Sequence, residues 1–276
     1  MDYKVKYRSV GTDTTTGPSA NLWGTCPIDD IKNDMAVGYV LEDDFLNFSD
    51  HISAQNVQGY ASYIDTGVTL KQGAADVGGA VEVAGNDADN DEGSITSGGN
   101  AGGAFLISDT AGSEKKLWFE ARFKKASIAD NALAMFVGLS EEGLAAANTL
   151  IDDTGALASK DMIGFNTLQA DGDALVFSYR KAGQAVQTIA LDSGSSALTA
   201  DTYVKVGFIY DPLEVTAKRI TLFVNGVEQS TYGTGANISA ATFPDGEELA
   251  FLLATKVGAA AESKLQLDWF RCVQLR

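Results

Sequence analysis

The segment KLWFEARF, residues 116–123, has one of the clearest strand patterns of the chain, because apolar side chains alternate with other ones. Every second residue from Leu117 to Phe123 is apolar, and the residues between them are Trp118, Glu120 and Arg122. Successive side chains of an extended strand point to opposite faces of a sheet. The stretch therefore predicts a β-strand with one face in the core and with Trp118, Glu120 and Arg122 on the other face.

Apolar runs of strand length recur through the rest of the chain. They are separated by turn-forming dipeptides, namely Asn225-Gly226, Asp171-Gly172 and Ala182-Gly183, which favour hairpins. This pattern predicts an all-β, two-sheet antiparallel sandwich. One helix is expected at Glu141–Ile151, an Ala-rich segment that follows Ser140 as N-cap. The runs are 116–123, 132–139, 161–168, 174–180, 185–191, 203–210, 219–224, 249–255 and 264–273.

The chain divides into an N-terminal arm, residues 1–40, and a sandwich domain, residues 41–276. A sandwich of about 200–250 residues commonly forms one domain. The arm cannot bury a core of its own, so its apolar side chains need another surface, either the sandwich or a neighbouring subunit. We therefore expect the arm to make contacts through Leu22, Trp23, Pro27 and Ile28.

The formal charge of −17 argues against a nucleic-acid or anionic-membrane partner, because phosphate groups are bound by clustered Lys and Arg. Residues 41–113 hold twelve acidic residues against one base, Lys71. Such a block is typical of a soluble, strand-rich surface, and it could also attract cations or a basic partner. The chain starts without the apolar core of a signal peptide and has no apolar run of about 18 residues, so synthesis and folding in a cytoplasm are expected.

Few residues are available for metal or cofactor chemistry. Cys26 and Cys272 lie near opposite ends of the chain, and two such cysteines are more often reduced than paired in a disulfide. His51, the single histidine, is expected to be an ordinary loop residue. Residues 87–93 begin like a calcium loop but lack the glycine and the final glutamate of an EF-hand, which favours a solvated turn. The glycine-rich residues 98–103 precede a strand, so they predict no phosphate site. No metal or cofactor is predicted.

Three segments resemble the concanavalin-like lectin and glucanase jelly-roll superfamily: LWFEARFKKA at 117–126, residues 206–229, and LQLDWFRCVQ at 265–274. Glycosidases of this superfamily carry alternating carboxylates on one strand, and two of them act as nucleophile and acid/base. The matching strand here is DMIGFNTL, which offers Asp161 alone. Glu120, beside Arg122, is expected to form a cross-strand ion pair. The resemblance therefore implies a jelly roll without catalytic residues.

Residues 19–48 and 86–94 resemble uncharacterised virion proteins of tailed bacteriophages. This resemblance implies a non-enzymatic capsid decoration protein on the virion surface. Its partners would be the major capsid protein and further copies of itself, with a trimer favoured. The alternative function is a carbohydrate-binding jelly roll without hydrolase activity. Trp118 and Trp269 could then stack on sugars, although their phase in the strands favours contact with the core or the arm.

Overall fold

The computed structural model describes residues 16–46, 48, 56–57, 59–73, 79–85, 88–97, 102–258 and 263–276. These residues form two antiparallel sheets and short helices. The helices are α1 (Ala20–Trp23), α2 (Ile28–Asn33) and α3 (Gly235–Ile238). The strands are β1 (Gly38–Asp43), β2 (Asn56–Val57), β3 (Tyr60–Ile64), β4 (Thr69–Gln72), β5 (Val81–Ala84), β6 (Glu92–Thr96), β7 (Phe105–Leu106), β8 (Leu117–Lys125), β9 (Leu133–Glu141), β10 (Met162–Thr167), β11 (Val176–Arg180), β12 (Gln187–Ile189), β13 (Val204–Tyr210), β14 (Ile220–Val224), β15 (Val227–Gly233), β16 (Glu248–Val257) and β17 (Lys264–Leu275).

The first sheet, called sheet 1, has the order β15-β14-β13-β8-β17-β5-β4, and β1 pairs with the C-terminal half of β17. Sheet 2 has the order β12-β11-β10-β9-β16-β6-β3-β2, and β7 pairs with β16. Each described pairing between these strands is antiparallel. The all-β, two-sheet prediction is confirmed.

The core lies between the two sheets and follows the predicted alternation. The apolar positions of β8 from Leu117 to Phe123 are buried in this core, whereas Trp118 belongs to a separate cluster on the outer face of sheet 1. The rings of Phe251 in sheet 2 and Phe270 in sheet 1 stack with centroids 3.7 Å apart, so the two sheets meet directly. Every strand-sized run identified in the sequence overlaps a strand of the structure.

The predicted hairpin turns also form. Asn225 and Gly226 both have positive φ, 49° and 75°, as a type I′ turn requires between β14 and β15. Gly183, with φ 77°, lies in the turn that joins β11 to β12. Asp171-Gly172 lies between β10 and β11, where the amide of Ala174 donates to the carbonyl of Asp171.

The prediction of a helix at Glu141–Ile151 is wrong. Glu141 ends β9, where it is paired with Leu249 of β16, and the following residues form turns. Gly143 and Asn148 have positive φ, 80° and 64°, which interrupts any right-handed helix. The amides of residues 148–150 instead donate to the carboxylate of Glu92. A side chain distant in sequence thus replaces the helical hydrogen bonds.

Cys26 and Cys272 are both free and buried, which agrees with the expectation that two lone cysteines stay reduced. Cys272 packs in the core between the sheets, and Cys26 packs in the cluster on the outer face of sheet 1. Burial raises the pKa of the Cys26 thiol to about 12, so it behaves as a small apolar side chain. In the described part of the chain, no helix has the length and apolarity needed to cross a membrane.

Candidate functional site

The arm folds back over the outer face of sheet 1. Leu22 and Trp23 of α1 and Ile28 and Ile31 of α2 pack in one cluster with residues of β8, β14 and β17. Leu22 lies directly over Gly207, where an added Cβ would come within 2.4 Å of the leucine Cδ1. The small residue on β13 therefore makes room for the arm.

A buried carboxylate holds the arm in place. Oε2 of Glu120 on β8 accepts a 2.6 Å hydrogen bond from the indole Nε1 of Trp23 and a 2.9 Å bond from the amide of Ser19. Glu120 is 1% exposed, and burial raises the pKa of its carboxyl group. The prediction of a cross-strand ion pair for Glu120 is wrong within the described residues, because Ser19 and Trp23 of the arm supply its donors, whereas the neighbouring Arg122 pairs with Asp268 of β17.

Further hydrogen bonds fasten the start of the arm to the strands below it. Nζ of Lys205 donates to the carbonyl of Gly17 at 2.9 Å, and Nε1 of Trp269 donates to the carbonyl of Thr16 at 2.8 Å. Nε1 of Trp118 donates to Oγ1 of Thr25 at 3.1 Å. Trp118 and Trp269 thus both contact the arm, as their strand phase predicted.

The middle of sheet 2 is covered on its outer face as well. Residues 142–160, called the covering loop, place Leu144, Leu150 and Leu157 on an apolar patch of β9, β10 and β16. Beneath the loop, Nζ of Lys256 lies 3.2 Å from Oε2 of Glu92, and both side chains are about 1% exposed. Nζ of Lys256 also donates to the carbonyl of Leu150. This buried ion pair anchors the covering loop over the middle of sheet 2.

A cavity lies at the rim of the arm, where the arm meets β1 and β17. This arm cleft has a volume of about 520 Å³. Trp269 contributes a half-buried indole, and Arg271 and three successive acids contribute charged groups. The lining residues are Thr16, Gly17, Pro18, Glu42, Asp43, Asp44, Trp269, Phe270 and Arg271.

The charged groups of the arm cleft are held in fixed positions. Oε2 of Glu42 accepts a 2.6 Å hydrogen bond from Nε of Arg271, and Oε1 of Glu42 accepts one from Nζ of Lys32. The Arg271 guanidinium lies 5.2 Å from the ring centroid of Trp23. Although partial burial opposes ionisation, the bonds from Lys32 and Arg271 lower the pKa of Glu42.

Hydrogen bonds also fix both carboxylate oxygens of Asp43, whereas Asp44 is exposed. Oδ1 of Asp43 accepts from the amide of Phe45 at 2.7 Å, and Oδ2 accepts from the hydroxyl of Tyr60 at 2.8 Å. Phe45 takes a positive φ of 54°, an unusual conformation that its burial against Tyr60 and Phe270 supports. Asp44 leaves its carboxylate at the surface beside the cleft.

The residues predicted to make contacts belong to the arm but do not line this cleft. Leu22, Trp23 and Ile28 are at most 3% exposed and pack on the sandwich of the same chain, and Pro27 is half-buried. Of the two surfaces considered for the arm, its own sandwich is the one observed. Contact of these side chains with a second molecule stays a prediction, and it would require the arm to leave sheet 1.

The strand matched to the glycosidase dyad carries no carboxylate on either face. Ile163 and Phe165 of β10 point into the core, and Met162 lies under the covering loop. Asp161 precedes the strand and is 1% exposed, with its Oδ1 bonded to the amide of Ala182. The structure therefore brings no second carboxylate of this strand to Asp161.

Within the described ranges, no three or more His, Cys, Asp and Glu side chains are grouped so as to hold a metal ion. Residues 88–91 form a turn in which the amide of Asp91 donates to the carbonyl of Ala88, and Asn90 takes a positive φ of 66°. His51, Asp87 and residues 98–101 lie outside the described residues.

Sequence reasoning missed the arm cleft because its walls come from three separate segments. These segments meet only because β1 pairs with β17 and the arm crosses both strands; they are residues 16–18, 42–44 and 269–271. One signal was available: Trp269 is a large aromatic residue on the outward phase of its strand, next to charged residues.

No family model matches the chain, and no curated protein matches it. Solved structures share its fold at low identity. A protein of unknown function from Shewanella oneidensis is 16% identical, with a TM-score of 0.54 over 90% of this chain and 94% of that one. Peanut lectin is 13% identical, with a TM-score of 0.53 over 87% of this chain and 98% of that one.

A Bacteroides ovatus mixed linkage glucan GH16 protein, solved with a product bound, is 13% identical, with a TM-score of 0.52 over 83% of this chain and 98% of that one. These comparisons lend no support to the resemblance to virion proteins. They confirm that the chain has the concanavalin-like jelly-roll fold of lectins and glucanases.

Proposed function

We propose that this protein binds carbohydrate in the arm cleft without hydrolysing it. The observation that carries the proposal is the meeting of the Trp269 indole with fixed carboxylates and the Arg271 guanidinium in one cavity of about 520 Å³. Ligand pockets in proteins commonly measure about 300–1,000 Å³ and combine an apolar wall with a few placed polar groups. The cleft has the size for one or two sugar rings.

The chemistry of the cleft suits a polyhydroxylated ligand. The flat indole offers an apolar surface to the C–H face of a pyranose ring, and the neighbouring carboxylates accept hydrogen bonds from hydroxyl groups. Arg271 is a donor whose position is set by Glu42. Because these groups are already held by other residues, little side-chain entropy is lost when a ligand binds.

Two features support binding without hydrolysis. A glycosidase needs one carboxyl group that stays protonated as general acid and a second that acts as nucleophile or base. In the arm cleft the pKa of Glu42 is lowered and both of its oxygens are bonded. Both oxygens of Asp43 are bonded too. The lowered pKa keeps Glu42 ionised, so Glu42 is not suited to donate a proton to a leaving group.

The shared fold supports this proposal only in a general way, since peanut lectin and the GH16 protein have the same architecture at 13% identity. The capsid decoration role, with the major capsid protein as partner and a trimeric assembly, stays a prediction. Co-purification with virus particles would distinguish that role from glycan binding.

A glycan array followed by calorimetry tests the proposal. We expect the wild-type protein to retain at least one glycan class and Trp269→Ala to weaken that binding at least tenfold. Tyr232→Ala, which removes an aromatic ring from β15 at the far edge of sheet 1, is the matched control and should bind like wild type. Absence of any bound glycan, or unchanged binding by Trp269→Ala, would refute the site. Release of reducing ends from a bound glycan would refute the non-enzymatic function.

A further inference from the structure

A second cavity lies at the end of sheet 2, away from the arm cleft. Its volume is about 260 Å³, and it is lined by Glu141, Glu142, Asp161, Lys181, Ala182 and Glu247. We call it the acidic pocket. These residues come from the end of β9, the segment before β10, the β11–β12 turn and the segment before β16.

Asp161 is the residue that indicates a ligand. Its side chain is 1% exposed, and its Oδ1 accepts a 2.5 Å bond from the amide of Ala182. Its Oδ2 is buried and has no hydrogen-bond partner. Buried polar atoms are nearly always paired, and leaving a buried acceptor unsatisfied is unfavourable. Asp161 therefore lacks one donor.

The other groups of the acidic pocket do not supply that donor. Nζ of Lys181 is bonded to Oδ1 of Asp245 at 2.6 Å. Both oxygens of Glu141 are occupied, by Nζ of Lys160 and by the amide of Asp161. Glu142 and Glu247 form no hydrogen bond or ion pair with the described residues. The pocket thus presents an excess of negative charge around the unsatisfied oxygen.

This arrangement selects a small positively charged donor. A shared metal ion fits poorly, because the described residues contain no set of three or more ligands grouped to hold one. An ammonium group carries three N–H donors, so one can serve Oδ2 of Asp161 while the others face the carboxylates of Glu142 and Glu247 or water. Burial raises the pKa of Asp161, as expected for a carboxyl group with too few donors, and a bound cation would offset that effect.

We propose that the acidic pocket binds the protonated primary amine of a small molecule, with one N–H donating to Oδ2 of Asp161 and with Glu142 and Glu247 at the rim. The proposal does not depend on carbohydrate binding in the arm cleft. It assigns a role to Asp161 that is unrelated to glycoside hydrolysis.

The test uses a matched pair of probes, 4-aminocyclohexanol and 1,4-cyclohexanediol, which differ by one ammonium against one hydroxyl. Binding is followed by NMR through the amide of Ala182, which donates to Asp161. We expect the amine to shift this resonance in a saturable way and the diol to leave it unchanged. Asp161→Asn should weaken amine binding at least tenfold.

Asp201→Asn is the control, because it makes the same chemical change on an exposed residue at the opposite end of the sandwich, where the Asp201 amide bonds Lys125. It should bind the amine like wild type, and so should Trp269→Ala. Thermal melts establish that each variant is folded. Equal binding of both probes, no binding of the amine, undiminished binding by Asp161→Asn, or displacement of the amine by Ca²⁺ would each overturn the proposal.

Discussion

The indole Nε1 of Trp23 donates a 2.6 Å hydrogen bond to Oε2 of Glu120, joining the arm to the central part of sheet 1 across 97 residues of sequence. Both side chains are at most 1% exposed. The same oxygen accepts the amide of Ser19, so one carboxylate serves two donors of the arm. The bond from Ser19 also fixes one wall of the arm cleft, because residues 16–18, which line the cleft, directly precede Ser19.

Replacing Glu120 separates its hydrogen-bonding role from its charge. Glu120→Ala leaves the buried Nε1 of Trp23 and the Ser19 amide without an acceptor, which should lower the free energy of unfolding by about 1–3 kcal/mol. Glu120→Gln keeps an oxygen acceptor and should lower it by less than Glu120→Ala does. Urea unfolding monitored by tryptophan fluorescence measures both. Equal stability of Glu120→Ala and wild type would contradict the importance of this contact.

Wild type and Glu120→Gln should also differ in how their stability depends on pH. Burial raises the pKa of Glu120 above its ordinary value of 4.5, so the folded protein binds this proton more tightly than the unfolded chain does. The contribution of Glu120 is therefore greatest below about pH 4.5 and is lost as the pH rises through the folded-state pKa. The stability deficit of Glu120→Gln relative to wild type should therefore shrink as the pH rises above about 4.5. Thermal melts across this range measure the difference, and parallel pH profiles would show that Glu120 does not titrate as described.

Trp23→Ala tests whether the arm is part of the folded unit. Removing a fully buried tryptophan commonly costs about 3–5 kcal/mol, so the melting temperature should fall by many degrees. Asp29→Ala, an exposed change in α2 of the same arm, should have almost no effect. An unchanged melting temperature for Trp23→Ala would instead support the prediction that this side chain contacts a second molecule.

The ion pair under the covering loop gives a further prediction. Lys256→Met leaves the Glu92 carboxylate buried without its cation, which should destabilise the protein by about 3–5 kcal/mol. Glu92→Gln combined with Lys256→Met should recover part of this loss, because the buried charge is gone and the amide oxygen still accepts the amides of Thr149 and Leu150. Chemical denaturation of the three proteins is the measurement. A double variant less stable than Lys256→Met would rule out charge burial as the cause.

The sequence alone determined the two-sheet class and nine of the strands, β8–β14, β16 and β17, because strand alternation is a local property. The phase of Leu117 and Trp118 assigns each to its face, and Asn225-Gly226 sets a tight hairpin through the conformations these two residues tolerate. The lack of a second carboxylate in 161–168 was equally visible from the residues themselves.

Only the tertiary structure decided what covers the sheets and where cavities remain. The arm docks where Gly207, Phe223 and Val273 leave a complementary surface, and these residues become neighbours only through strand pairing. Glu92 captures the amides of residues 148–150 and so prevents the helix that local propensity favours. Such long-range hydrogen bonds outweigh local helix preferences, whose effect is a fraction of a kcal/mol per residue. Both cavities likewise arise between segments that are distant in sequence, so they could not be predicted from local patterns.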